Sequence, residues 1–322
     1  MAATFLTGCG GSSNDSAVIV EPDGSVTEVA ETQNASVSPP ILPVPTSTSV
    51  TADGGTLEPL IVGDIAGASF DNAAGTLAVQ IGFDGSESLQ PYVAAGTVNG
   101  YSRFTIQDDP LDREFQAFAR ESDDGQLQAV VVTDGGQFNR FFGGGIVIQN
   151  SFEPVTTGLA SYAGDYVGIT NVGPDLVTGN GADVSTVPGS STEITGTVFI
   201  NADFADGLVN GSVYDRVFDP DGFNIDLPTI VLTVTEFGEN GQFTGDVEFE
   251  DLTPVGNYDG AFGGNETQSI ATVVSLGEGF LEGATINGVE TEIFDEAIGE
   301  TEYGVFVLGQ CPAGGAACFD AN

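Results

Sequence analysis

The side chains of this chain that could do chemistry are mostly carboxylates. Asp and Glu number 47 against five Arg, and there is no Lys, His or Trp. Without histidine there is no Ser-His-Asp or Cys-His nucleophile system, no imidazole metal ligand and no side chain that titrates near neutrality by default. Without lysine no phosphate-binding G-x-x-x-x-G-K-[ST] loop can form. No serine sits in a G-x-S-x-G elbow, and the many glycines form no G-x-G-x-x-G between a strand and a helix. A pair of carboxylates working as glycosidase acid and base stays chemically open, but no spacing singles out one pair. The expectation is a non-catalytic chain with no cofactor.

Three clusters stand out from this background. Four of the five arginines, Arg103, Arg113, Arg120 and Arg140, fall within 38 residues together with Phe104, Phe115, Phe118, Phe138, Phe141 and Phe142. Clustered guanidinium groups in so acidic a chain either pair with carboxylates over a phenylalanine core or form a partner-binding patch. Asp219, Asp221 and Asp226, with Asn224 between them, place oxygen ligands at short spacing as Ca²⁺ requires. The twelve-residue calcium loop with its closing Glu is absent, so an Asp-Gly turn is the plainer reading and no metal is assigned. Cys311 and Cys318 enclose Pro312-Ala313-Gly314-Gly315-Ala316-Ala317, a short flexible loop that a disulfide closes easily in an oxidising compartment.

The formal net charge is −42. Such a surface repels phosphate backbones and anionic lipid headgroups, so nucleic acid and electrostatic membrane binding are excluded. The partner is an unidentified protein or small-molecule ligand. High acidity also suits solubility in a saline habitat. The third cysteine, Cys9, lies in Leu6-Thr7-Gly8-Cys9, which resembles the lipobox of bacterial lipoproteins, where the cysteine carries the lipid. Residues from 10 to about 55 have the Ser, Thr, Pro, Gly and acidic composition of a disordered stalk. Residues 1–8 hold neither the basic region nor the apolar stretch of a whole signal peptide, which places the true start upstream or implies trimming. No apolar run nears the roughly 20 residues of a spanning helix, so membrane attachment is expected through the lipid alone.

The elements that must position these residues read as strands. Short segments bounded by Gly, Asn and Asp recur, and no 3.6-residue periodicity outlasts them. Phe243-Thr244-Gly245-Asp246-Val247-Glu248-Phe249-Glu250 alternates apolar or Gly with polar, as a half-buried antiparallel strand requires. Thr229-Ile230-Val231-Leu232-Thr233-Val234-Thr235 joins it through Asn240-Gly241, a strong hairpin signal. A first block predicts strands at 75–83, 99–107, 114–121, 126–133 and 137–148. A second predicts them at 160–169, 193–203, 207–216, 229–237, 242–250, 256–263, 267–276 and 303–310. Eight strands suffice to close a barrel. The expected fold is therefore all-β. Residues 1–8 are a residual signal segment, 9–55 the stalk, 56–154 a smaller β-rich handle-like sheet and 155–322 an eight-stranded antiparallel β-barrel.

Laid out this way, the second block resembles the β-barrel domain of transferrin-binding protein B, shared by surface lipoproteins of Gram-negative bacteria. Tyr162-Ala163-Gly164-Asp165-Tyr166-Val167-Gly168 resembles the Y-x-G-x-Y/F-x-G entry strand. Ile194-Thr195-Gly196-Thr197-Val198, then Asp203-Phe204 and Leu208-Val209-Asn210-Gly211-Ser212-Val213, resemble its paired hairpin. Gly256-Asn257-Tyr258-Asp259-Gly260-Ala261-Phe262-Gly263-Gly264-Asn265-Glu266 resembles the G-x-F-x-G-x-F-Y-G-P segment, with Gly263 and Gly264 in place of Tyr and Pro. The resemblance implies a lipid-anchored outer-membrane or cell-surface lipoprotein that binds a protein or nutrient, and it carries over no binding residue. Two alternatives stay open: a lipocalin-like carrier with a small apolar ligand inside the barrel, and a structural or adhesive envelope protein. The interior separates them, because Phe199, Phe243, Phe249, Phe262 and Phe306 pointing inward would fill it.

Overall fold

The protein is described from a computed structural model covering residues 18–20, 26–28, 49–50, 56–83, 86–107, 114–134, 141–173, 191–222, 224–294, 298–312 and 318. Within residues 1–41, Val18–Val20 pairs antiparallel with Val26–Glu28. The rest of that segment, including Cys9, lies outside the described residues. The remainder of the chain forms one compact unit of antiparallel strands.

Eight strands make the first sheet: β1 Leu60–Gly63, β2 Ile65–Asp71, β3 Thr76–Phe83, β4 Ser86–Val98, β5 Tyr101–Ile106, β6 Phe115–Glu121, β7 Leu127–Asp134 and β8 Phe142–Gln149. Their order is β1-β8-β7-β6-β5-β4-β3-β2, so the two edges are consecutive in the chain. Asp64 between them receives the Gly82 amide and donates its own to Gly143, which nearly closes the sheet on itself. This handle holds eight strands rather than the five expected. The missed ones are β1, β2 and β4. β4 carries Pro91, changes partner from β3 to β5 between Tyr92 and Val93, and has a bulge between Ala94 and Gly96, which breaks the alternation that sequence reading depends on.

The second sheet is a closed barrel: β9 Leu159–Thr170, β10 Thr192–Asp203, β11 Leu208–Phe218, β12 Ile230–Glu236, β13 Gln242–Phe249, β14 Pro254–Gly263, β15 Ser269–Leu276 and β16 Glu302–Gly309. The order runs β10-β9-β16-β15-β14-β13-β12-β11, and β11 pairs back onto β10, which closes the cylinder, while three short strands of the same sheet, Ile225–Leu227, Thr285–Ile286 and Val289–Glu290, continue from β11 as a branch. All eight strands lie where the sequence pattern puts them, to within two residues at either end. Asn240-Gly241 sits in the predicted turn, with Gly241 at φ 76°.

Strand alternation gives the barrel two apolar faces. One side of each strand points into the lumen, where Tyr162, Val198, Ile200, Val213, Leu232, Phe243, Phe262, Val274 and Phe306 form the main core. On β9, β14, β15 and β16 the other side is also buried. Val167, Ile169, Ala261, Ala271, Val273, Val305 and Val307 pack against Tyr101, Phe118, Leu127, Ala129, Val131 and Val147 of the handle. The central handle strands are thus covered on both faces, which explains the unbroken apolar run Ala129-Val130-Val131-Val132. The two layers meet most closely where the handle presents glycine. A Cβ on Gly145 would lie 2.5 Å from Val273 Cγ1, and one on Gly143 would lie 2.8 Å from the Tyr303 ring.

Candidate functional site

A barrel can bind inside or outside, so the lumen comes first. At the end formed by the turns after β10, β12 and β14, the interior is aromatic. Phe204, Phe237, Phe243 and Phe262 pack ring to ring with centroids 5.1–5.5 Å apart, and Tyr162 and Tyr258 adjoin them. Room for these rings comes from glycine: the Tyr258 ring lies over Gly245 of the neighbouring strand and its hydroxyl reaches the Thr233 carbonyl at 2.5 Å. Phe152, in the connection from the handle, closes this end against Gly241. The Gln149 amide holds that connection in place through the Phe262 and Asn240 carbonyls, at 2.7 and 2.9 Å.

The opposite end is polar but equally full. Arg216 on β11 sends Nη2 to Glu302 Oε2 on β16, with both side chains wholly buried. Its Nη1 donates to the Pro228 carbonyl at 3.0 Å, and the Tyr166 hydroxyl donates to Glu302 Oε1 at 2.6 Å. Strands β10 and β9 separate β11 from β16, so this pair spans the lumen. Gly168 and Gly304 make the space: a Cβ at Gly168 would lie 2.6 Å from Glu302 Oε1, and one at Gly304 would collide with the Tyr166 hydroxyl. Arg216 Nε finds no hydrogen-bond partner among the described residues. The long connection from Gly277 to Glu300 lies over this end, contributing Phe280, Leu281, Ala284 and Phe294 to the core. Glu300, also buried, fixes it by accepting the Gly279 amide at 2.7 Å.

Burial and the Glu302 charge push the Tyr166 phenol well above its ordinary range, so it stays a donor. Burial likewise raises Tyr162, Tyr258 and Tyr303, and Tyr101 is pushed up to about 12. Glu300 and Glu302 are both buried at this end of the barrel.

Of the five phenylalanines expected to fill the barrel, Phe243, Phe262 and Phe306 do so. Phe249 is half-buried against the same core. Phe199 lies between the inward Val198 and Ile200 and points outward.

Of the arginine cluster, Arg103 and Arg120 are described, and the pairing of β5 with β6 sets them on one face of neighbouring strands. Arg103 donates to Gln116 Oε1 at 3.1 Å and to Glu114 at 3.4 Å. Arg120 lies over the Tyr101 ring, 5.2 Å from its centroid. Phe104, Phe118 and Phe142 are buried in the cores rather than lining a surface. Arg113 and Arg140 fall outside the described residues. Asp219 and Asp226 are exposed, and no group of three or more acidic or Cys side chains among the described residues could hold a metal ion. Cys311 and Cys318 form a disulfide with Cα atoms 5.4 Å apart.

Sequence reading missed Arg216, Glu302 and Tyr101. Alternation counted from Val209 through Val213 would turn Arg216 outward. Asp215, at φ 49°, sits in a bulge where the register against β10 shifts between Thr195 and Thr197, and this flips Arg216 and Phe218 inward. An isolated arginine among apolar residues beside a solitary Asp was the available signal.

Among the described residues a surface cleft lies at each end of the barrel. A cleft of about 630 Å³ lies between the handle turn Asp123-Asp124 and the barrel residues Ser161, Gln268, Ser269 and Gln310. A second, of about 550 Å³, is lined by Phe249, Glu250, Asp251, Glu282 and Glu290.

No family model matches the chain, and no curated protein matches it. Among solved structures it is similar to transferrin-binding protein B from Haemophilus parasuis Hp5, a double mutant, with 13% identity and a TM-score of 0.41, covering 80% of this chain and 46% of that one. It is similar to the intact Ap-TbpB, comprising N and C lobes, at 12% identity and a TM-score of 0.40, covering 80% of this chain and 47% of that one. A structure described as a surface lipoprotein is 13% identical with a TM-score of 0.34, covering 79% of this chain and 98% of that one. The chain spans about half the length of the transferrin-binding structures.

Proposed function

We propose that this protein is a non-catalytic, lipid-anchored surface lipoprotein of a Gram-negative outer membrane, which binds a protein or nutrient on the outside of a filled barrel. The observation that carries the binding mode is the occupied lumen, with an aromatic plug at one end, an ion pair across the other and chain segments over both openings. A lipocalin-like carrier needs an interior cavity for its ligand, and these side chains take up that space. Exposed loops, the two end clefts and the arginine-bearing handle are left as contact surface. With a net charge of −42, the partner surface is basic or neutral.

Anchoring rests on Cys9 in its lipobox-like context, followed by a stalk composition that would hold the folded unit away from the membrane. The test is metabolic labelling with a palmitate analogue in a Gram-negative host, with the chain expressed behind a lipoprotein leader. Label on the wild type but not on Cys9→Ala, with surface exposure to added protease, is the expected result. Unlabelled, periplasmic wild-type protein would overturn the anchor.

A further inference from the structure

One handle residue takes part in the hydrogen bonding of the barrel wall. Strands β9 and β16 pair at Val167 with Val305, and the isolated bridge of Tyr162 with Gln310 keeps the same register. Carried between these points, that register sets Asp165 opposite Val307. In an unbroken antiparallel ladder the Val307 amide would donate directly to the Asp165 carbonyl. Here it donates to the hydroxyl of Tyr101 at 3.0 Å, and that hydroxyl donates to the Asp165 carbonyl at 2.9 Å. The phenol is spliced into a ladder bond and holds the strands apart by about 2 Å more than a direct bond of about 2.9 Å would.

Tyr101 belongs to β5 of the handle and is fully buried in the layer between sheet and barrel. The Arg120 guanidinium lies over its ring, so the phenol is braced from its own sheet. Neither strand is strained by a register mismatch at the gap, because both flanking pairings agree. Withdrawing the hydroxyl would leave one amide and one carbonyl facing each other in register, with nothing between them.

We propose that the barrel seam between β9 and β16 has two states, selected by docking of the handle: wedged open by Tyr101 when the sheet is seated, and zipped by a direct Val307 to Asp165 bond when it lifts. The exchange trades two hydrogen bonds to the phenol for one ladder bond and two phenol bonds to water, so the cost of lifting is the apolar packing between sheet and barrel, which a bound partner has to supply. A partner that pulls on the handle is thereby felt as a change in the barrel wall. Tyr101 acts here as a positioning residue.

The direct readout is the through-hydrogen-bond scalar coupling between the Val307 nitrogen and the Asp165 carbonyl carbon, measured on deuterated full-length protein. The wild type should show no coupling. Tyr101→Phe keeps the ring and removes the wedge, so the coupling should appear while Val307 amide exchange stays within about tenfold of wild type. Gly145→Val, which crowds the docking face without touching Tyr101, should make the coupling appear in a fraction of molecules. Coupling already present in the wild type would overturn the wedge. A Tyr101→Phe protein that lacks the coupling and exchanges Val307 as fast as an exposed amide would overturn the two-state seam. So would a Gly145→Val protein whose sheet lifts while the seam stays uncoupled.

Discussion

Arg216 and Glu302 face each other across the barrel lumen, joined by an ion pair between wholly buried side chains. The lumen is therefore structural at its polar end as well as its aromatic one. Two charges leave water at a large cost, which only close pairing and further hydrogen bonds offset. Tyr166 supplies one such bond to Glu302, and the Pro228 carbonyl receives another from Arg216.

Breaking the pair from one side leaves a buried uncompensated charge. Arg216→Leu or Glu302→Leu alone should destabilise the protein by about 3–5 kcal/mol, whereas the double replacement should be much milder than the sum. Urea denaturation of the three variants measures this. Additive losses would mean the side chains are not coupled.

The close contact of handle and barrel at Gly145 makes a steric prediction. A valine there meets the Val273 side chain and should cost about 1–3 kcal/mol, while adding Val273→Ala should recover most of it. Thermal midpoints of the single and double variants decide the matter. No recovery would show that backbone strain, rather than this contact, is responsible.

Buried tyrosines set the alkaline limit. The folded Tyr101 phenol is pushed up to about 12 by burial, against an ordinary value of 10.0, so folding favours its protonated form. Its contribution is fully present below pH 10 and is lost as the pH rises from 10 through about 12. Absorbance titration at the phenolate band should show Tyr101, Tyr162, Tyr166 and Tyr258 ionising late and together with unfolding. Their ionisation near pH 10 in still-folded protein would contradict the burial.

Arg103 should behave differently from Arg216. Arg103 is partly exposed and its contact with Glu114 is long, so Arg103→Ala should change stability by less than about 1 kcal/mol. Under the proposed function, Arg140→Glu should reduce partner capture without lowering the melting temperature. Capture assays run beside calorimetry test both. A large loss of stability in Arg103→Ala would make that residue part of the scaffold.

The barrel strands are legible in the sequence because most alternate over several residues and their turns are marked by Gly, Asn and Asp. Phe199 was misplaced and Arg216 overlooked because alternation fixes which residues share a face but not which face is inner, and the bulge at Asp215 resets the count. The handle was harder to read. Pro91 and a bulge interrupt the alternation of β4, and β2 carries Gly67 and Asp71 in positions that read as turns. The use of Tyr101 in the barrel wall is a contact between residues 64 and 206 positions apart, which no local pattern carries.

The claim that binding occurs outside a filled barrel is tested most directly by titrating the folded protein with a fluorescent fatty-acid analogue, a probe for an apolar lumen. The account predicts no saturable binding at micromolar probe, and none gained in Phe262→Tyr. Saturable one-to-one binding, weakened by enlarging an inward residue such as Val198→Phe, would contradict it and restore the carrier reading.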